Sequence, residues 1–404
     1  MPQTERWRSI DRIAIQARRY GNGYDLHMTE NASGLPKKQT VYVIARDIQR
    51  HDAVGNFCMQ IGKLLDDAGF DARLAAENCH PDDRAHILKM PEALTTITPD
   101  AIVLFQFSTY DPAFPAVAAL PNPKIVFFQN ITPERFFRGH DDHTADLVRQ
   151  GLDQRPLCAQ FDVIMANSIA TAAALCEGLP AESAAAIDQT RIVACPPVIG
   201  TDRWDDIVPG ETLDSDKRRL ILFVGRLVPH KGVDDLIDGF ALLANDNLDV
   251  RLAIVGGPAN SPLALALKQR VAALDTRIAS RIAFHHDISE AELKALYHEA
   301  HVCASMSQHE GFGVPLLDAM FFDKPLVIRS EPGMEETAGD AALVIGTPEA
   351  ANIAGALAFA LNDAGVQARL AQARAIRLDR FRRSADGTII INALAKALRQ
   401  AKMR

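Results

Sequence analysis

The sequence predicts an α/β chain built of two doubly wound domains. Three observations predict it. Apolar runs of strand length alternate with helical periods from Thr40 to Cys176, the alternation breaks over Pro196–Arg219, and a second alternating series starts at Leu220. Parallel strands joined by helices make a sheet covered on both faces, and two such sheets joined by a hinge leave a cleft at the carboxyl ends of their strands. The expected architecture is two Rossmann-like domains facing a cleft. Residues 1–37 form an N-terminal extension, 38–205 the first domain, 206–380 the second and 381–404 a C-terminal helix.

In the extension, Thr4–Tyr20 reads as an amphipathic helix with Trp7, Ile10, Ala14 and Ala17 on one face and Arg6, Arg8, Arg12, Arg18 and Arg19 around it. Such a helix suits either a membrane surface or the body of the protein. Gly21, Gly23 and Asn31–Lys38 read as loop. First-domain strands are expected at Val41–Ala45, Ala101–Phe105, Ile125–Phe128 and Phe161–Ala166, with helices at Val54–Ala68 and Ile169–Cys176. Pro196, Pro197, Gly200, Pro209 and Gly210 punctuate the hinge. Second-domain strands are expected at Leu220–Val224, Arg251–Val255, Ile282–Phe284, His301–Ala304, Pro325–Ile328 and Ala342–Ile345. Helices are expected at Asp234–Leu243, Pro262–Leu274, Ala350–Leu361 and Ile390–Ala401, and Ser289 with Glu292 three residues on has the spacing of a capping box.

Composition narrows the function. The 404 residues are 48% hydrophobic and 23% charged, enough for real cores in two or three domains. Acidic residues outnumber basic ones 51 to 43, a net charge of −8, which excludes nucleic acid as the main partner because phosphate backbones are bound by clustered cations. The six cysteines lie in apolar stretches without a C-x-x-C pair and read as buried and reduced. No apolar run reaches the roughly 18 residues of a membrane span. The N-terminus lacks the succession of a signal peptide, so a cytoplasmic protein is expected. His285, His286, His298 and His301 have no zinc spacing, and no metal and no cofactor are expected.

The residues that carry chemistry follow strands directly. The strongest segment is His309–Met320, which opens a helix after the strand His301–Ala304. Gly311 and Gly313 let the backbone approach a ligand, Pro315 suits a first helical turn, and the amides at the helix start favour oxygen acceptors. Glu310 is placed to accept from sugar hydroxyls, and Asp318, one turn into the helix, from a ribose diol. In the segment Phe223–Gly232, Gly225 turns the chain, and Arg226 and Lys231 can converge on a diphosphate and neutralise charge on a leaving group; the spacing is not that of a Walker loop. In the first domain, Gly55 and Asn56 lie in a loop that opens a helix, as a phosphate or sugar site does. Gln129 and Asn130 follow a strand and either line the acceptor side of the cleft or form a plain polar loop. Gly256 and Gly257 follow a strand without the G-x-G-x-x-G spacing of a dinucleotide site.

From about Thr40 to the last helix the chain resembles the retaining glycosyltransferases of family four, which have the GT-B fold. Phe223–Gly232 resembles that family's G-R-x-x-x-x-K-G diphosphate loop, and Glu310–Asp318 its E-x7-E motif. Glu336 with Gly339–Ala342 is similar to the segment after the last donor-site helix, Asp52–Asn56 to the D-A-x-G-N loop, and Gln129–Pro133 to H-N-I-T-P. The resemblance implies a sugar held by Glu310 and the amides around Gly311, Phe312, Gly313 and Val314. It implies a diphosphate held by Arg226 and Lys231, a ribose held by Asp318 and a base near His286, Asp287 and Ile288. It further implies a UDP- or GDP-linked sugar donor, a glycan or lipid-linked acceptor, no divalent metal, and front-face attack in which the donor phosphate takes the acceptor's proton. Two positions depart from the pattern: Asp318 stands where the motif has Glu, and Gln129 where it has His.

A sugar-nucleotide-binding scaffold without turnover is the alternative these departures keep open, and a sugar-nucleotide epimerase of the same architecture is a third. Peripheral contact with the inner membrane face rests on the arginine-rich start and on Glu134–Arg138, where aromatic and basic residues interleave; a domain surface is the other reading of those residues.

Overall fold

In the computed structural model, residues 38–50, 52–198, 203–211, 213, 216–246, 249–384 and 387–403 are described. The arginine-rich helix expected at Thr4–Tyr20 lies outside them. The described chain divides into an N-terminal domain of residues 38–198 with 381–403, and a C-terminal domain of residues 203–380.

The N-terminal domain is a parallel sheet of strands β1 (Thr40–Ile48), β2 (Asp71–Cys79), β3 (Ile87–Lys89), β4 (Ile102–Phe107), β5 (Lys124–Phe128), β6 (Val163–Ala166) and β7 (Ile192–Ala194). Their order is β3-β2-β1-β4-β5-β6-β7, so the direction of winding reverses between β1 and β4. All residues of β4, β5 and β6 are buried, as central parallel strands covered on both faces require. One face is covered by the helix Ala53–Asp67 through Phe57, Cys58, Ile61 and Leu65, and by the C-terminal helix Thr388–Ala401 through Ile390, Ala393, Leu394 and Ala397. That spacing of three, one and three residues is an apolar helical stripe, and it puts the last helix of the chain into the core of the first domain.

The C-terminal domain repeats the plan with β8 (Arg219–Val224), β9 (Val250–Val255), β10 (Ile282–His285), β11 (Ala300–Ser305), β12 (Leu326–Arg329) and β13 (Ala342–Ile345) in the order β10-β9-β8-β11-β12-β13. Here the winding reverses between β8 and β11. The helices Val233–Asn245 and Ala350–Asn362 pack on this sheet through Leu236, Ile237 and Phe240 and through Ile353, Leu357 and Ala360. Gly239 makes their approach possible, because a Cβ there would stand 2.3 Å from the Ile353 side chain. The capping box forms as expected: Ser289 Oγ accepts from the Glu292 amide and the Glu292 carboxylate accepts from the Ser289 amide.

The sequence pattern omitted β2, β3 and β7, several helices of seven residues or fewer, and the longer helices Asp142–Asp153 and Ala364–Ser384. Strand β2 mixes Asp71, Arg73, Glu77 and Asn78 with mostly small apolar residues, of which Ala75 and Ala76 are buried, so it carries little apolar signal and is held by pairing with β1 from Thr40↔Asp71 onward. In Ala364–Ser384 the buried stripe runs Leu370, Arg374, Leu378, and the buried arginine, paired with Asp323, hides the periodicity. Cys58, Cys158, Cys195 and Cys303 are free and buried, while Cys79 and Cys176 are free and partly exposed. Among the described residues no helix is long and apolar enough to cross a membrane.

Candidate active site in the C-terminal domain

In an open α/β sheet the ligand crevice lies beyond the carboxyl ends of the strands, where the winding reverses. In this domain that place is filled by the chain leaving β8 and the chain leaving β11. The two are locked together by close backbone approach. Gly232 has φ 60°, and a Cβ on it would lie 2.4 Å from the Met306 carbonyl oxygen. The Gln308 amide donates to the His230 carbonyl at 2.7 Å, and Ser307 Oγ donates to it at 3.3 Å. On this frame Lys231 Nζ forms an ion pair with Glu310 Oε1, both side chains being about one-sixth exposed. The sequence reading sent Lys231 to a diphosphate and Glu310 to a sugar; the structure brings the two together across the reversal point.

The Arg226 side chain, by contrast, is exposed and makes no hydrogen bond or ion pair among the described residues. Its loop is held by backbone bonds, from the Gly225 amide to Val255 O at 3.0 Å and from the Leu227 amide to Gly257 O at 2.8 Å. Gly256 is part of this junction: a Cβ there would stand 1.8 Å from the Gly225 carbonyl oxygen. Gly256 and Gly257 lack a dinucleotide spacing. Two glycines and a proline directly after a strand were the signal of a close crossing. On the far side, His286 Nδ1 lies 2.5 Å from the Gly256 carbonyl, Asp287 is exposed with φ 53°, and Ile288 is half-buried. These are the residues expected near a base, and they stand beside the Arg226 loop.

The helix Val314–Phe321 starts at Gly313, which is left-handed at φ 84°, with Pro315 in the first turn as expected. No described residue accepts from the amides of Gly313 and Val314, so the positive end of the helix dipole is uncapped. Gly311 is half-buried and Phe312 buried, the Phe312 carbonyl accepting from Thr337 Oγ1 at 2.5 Å.

Asp318 departs from the expectation that it meets a ribose. It is 5% exposed, and its carboxylate accepts from Arg203 Nη2 at 2.5 Å and from Trp204 Nε1 at 3.0 Å. Burial pushes its carboxyl up, against the pull of Arg203 and Trp204. Arg203 and Trp204 come from the stretch read as a hinge, and Lys294 Nζ holds that stretch too, donating to the carbonyls of Trp204 and Ile207. Trp204 is buried edge-on to Tyr297 and Phe322. The shorter acid thus serves an internal anchor, and both of its oxygens are engaged.

Gly55 lies in a turn whose first amides are engaged within the chain. The Asp52 carboxylate accepts from the amides of Val54 and Gly55 at 3.1 and 3.2 Å, and its carbonyl accepts from the Asn56 amide at 2.9 Å. A Cβ on Gly55 would stand 2.3 Å from the Gln49 carbonyl oxygen, so close backbone packing explains the glycine; the Asn56 side chain is exposed. Gln129 follows β5 and lies in a row of amides, donating to Gln106 Oε1 at 2.7 Å and accepting from Asn167 Nδ2 at 3.2 Å. Asn130 beside it is left-handed at φ 63°. In Glu134–Arg138, Arg138 is paired with Glu134 and Asp146, Phe137 is buried, and the exposed Arg135 lies over the Phe136 ring.

Two titrating groups lie near the site. Burial pushes the His230 imidazole from 6.5 down to about 2, with Lys231, His309 and Arg226 acting in the same direction. The folded state keeps it neutral while the unfolded chain protonates below pH 6.5, so stability present above that value is lost as pH falls. Glu331 runs the other way. Burial pushes it from 4.5 up to about 7, and its contribution falls as pH rises across that window. The expected result is that wild type loses urea stability between pH 7 and 5 faster than His230→Gln, by up to about 1.4 kcal/mol per pH unit. Equal slopes would show that His230 is not a buried neutral group.

The fold is that of the GT-B glycosyltransferases: two α/β domains, each with a parallel sheet. It is similar to the crystal structure of Anabaena Alr3699/HepE in complex with UDP and glucose, with a TM-score of 0.68 at 18% identity, covering 88% of this chain and 99% of that one. Residues 207–377, most of the C-terminal domain, match the family described as glycosyl transferases group 1. Among curated relatives, the O-antigen chain mannosyltransferase RfbU of Salmonella typhimurium is 30% identical over 130 residues, 32% of this chain and 35% of the relative. The mannosylfructose-phosphate synthase of Agrobacterium fabrum is 31% identical over 121 residues, 29% of this chain and 26% of the relative. The chain thus spans about a third and about a quarter of the length of these two relatives.

Proposed function

We propose that the protein transfers a sugar from a UDP- or GDP-linked donor to a glycan or lipid-linked acceptor, with retention at the anomeric carbon and with no divalent metal, in the cytoplasm. The observation that carries it is the grouping at the reversal point of the second sheet: an open guanidinium at Arg226, the Lys231–Glu310 pair, and the uncapped start of Val314–Phe321. Arg226 and Lys231 supply the positive charge that a departing diphosphate needs. Glu310 offers a carboxylate to sugar hydroxyls and exchanges its lysine partner for them when the donor binds. The C–O bond to phosphate breaks with its electron pair going to the phosphate oxygen. The acceptor oxygen bonds on the same face, and its proton passes to that phosphate. No protein nucleophile is then required, and the side chains act by positioning and charge.

The relatives support the donor class. One is named for mannosyl transfer to O-antigen, and the Anabaena structure holds UDP and glucose. A donor at about 100 times its dissociation constant adds about 2.7 kcal/mol to the folded state. The expected result is that UDP or GDP and their sugar conjugates raise the thermal midpoint by several degrees in EDTA, with ADP and CMP inert. A shift that needs magnesium would remove the metal-free reading. Tight donor binding without cleavage, across a broad acceptor panel, would replace the transferase by a scaffold.

A further inference from the structure

The turn that carries Glu310 is held from below by residues that the sequence motif does not contain. Glu331, the N-cap of the helix Pro332–Ala338, is 7% exposed. Its carboxylate accepts from the Met334 amide at 2.8 Å, which caps its own helix, and the amides of Glu310 and Gly333 lie near enough to favour its charged form, so it faces the turn after β11. Gly333 brings the two backbones together, since a Cβ there would stand 2.3 Å from the Glu310 carbonyl oxygen. Thr337, one turn later and 1% exposed, donates its hydroxyl to the Phe312 carbonyl at 2.5 Å. The backbone of Glu310–Phe312 therefore meets this short helix at the Glu310 carbonyl, by close packing on Gly333, and at the Phe312 carbonyl, by the Thr337 hydrogen bond.

We propose that Glu331 is a positioning residue for the donor site, fixing the backbone from which the Glu310 side chain and the amides of Phe312 and Gly313 reach a bound sugar. The inference rests on the donor-site reading of Glu310 above. Its physical basis is that a catalytic group displaced by about 1 Å loses much of its effect, so a turn that must meet a sugar needs its own support. A buried acid serves here because several N–H groups face it at once. In water-poor surroundings those amides oppose the burial that pushes the carboxyl up to about 7. A glutamine of the same shape keeps an acceptor oxygen toward the amides, while an alanine leaves the Glu310 N–H without this neighbour.

The test compares Glu331→Ala, Glu331→Gln and Gly333→Ala with wild type by two readouts, well below each variant's thermal midpoint. The first is kcat and donor KM per folded molecule. The second is hydrogen exchange of the peptide Glu310–Gly313. Glu331→Ala and Gly333→Ala are expected to lower kcat about 10- to 100-fold and to speed exchange of that peptide, with exchange in β8 and β11 unchanged. Glu331→Gln is expected to restore both. A purely structural Glu331 would lower the midpoint and leave kcat per folded molecule alone, which would overturn the proposal. So would a Glu331→Gln as impaired as the alanine variant. If wild type transfers no sugar from any donor, the transferase reading fails by itself. The exchange data then decide separately whether Glu331 holds the turn.

Discussion

Glu310→Ala is expected to lower sugar transfer by about two to three orders of magnitude, the usual loss when a preorganised polar group is removed from a charged transition state. Nucleotide affinity is expected to hold or rise in the same variant. The reason lies in the Lys231–Glu310 pair. In the ligand-free protein the lysine is neutralised by this carboxylate, so a diphosphate competes with Glu310 for Lys231. Removing the carboxylate frees the ammonium for phosphate while it removes the acceptor for sugar hydroxyls. Calorimetric titration with UDP and GDP, beside kcat measured at saturating donor, separates the two effects. Unchanged transfer would end the role assigned to Glu310. Nucleotide affinity that falls in step with kcat would mean that the carboxylate organises the whole loop instead of facing the sugar.

Asp318→Ala is expected to destabilise the C-terminal domain by about 3 kcal/mol, at the lower end for a broken buried pair because Arg203 is partly exposed. For a domain of this size that corresponds to a fall of about 6–12 °C in the thermal midpoint. Two donors lose their acceptor at once, Trp204 Nε1 inside an aromatic cluster and the Arg203 guanidinium. Asp318→Asn keeps an oxygen for the tryptophan and is expected to lose about half as much. The engaged carboxylate has a second consequence: UDP and 2′-deoxy-UDP should bind alike, where an acid on the ribose would separate them by roughly a charged hydrogen bond, about 1.5–3 kcal/mol. A variant of wild-type stability with weakened UDP binding would return Asp318 to the ribose.

These two residues mark how far the sequence could be read. Glu310, Lys231 and Arg226 stand out in the sequence because glycines, a proline and charges follow strands directly, and the structure pairs Lys231 with Glu310. Asp318 belongs to the same segment, and its position in the motif was legible, but its partner was not. Arg203 and Trp204 stand more than a hundred positions away in a stretch whose prolines and glycines read as a hinge. Gly55 is a related case. A glycine at a helix start suits a ligand and a close backbone contact equally well, and the Gln49 carbonyl beside it is seen only when the loop is folded.

The sequence by itself determined the elements whose signal is local. The buried strands β4, β5, β6, β8 and β9 follow from apolar runs, the caps at Ser289 and Gly313 from residue type, and the two-domain plan from the break between alternating series. Tertiary structure alone decided what depends on a distant partner. It made a strand of Asp71–Cys79 by pairing it with β1, a helix of Ala364–Ser384 around a buried Arg374, and a contact of Gly333 and Thr337 with the turn that carries Glu310. The physical reason is the same in each case. Periodicity and capping act over a few residues and are written in neighbouring side chains. A buried charge, a close backbone crossing or a shared carboxylate takes its energy from groups that only folding brings within hydrogen-bond reach.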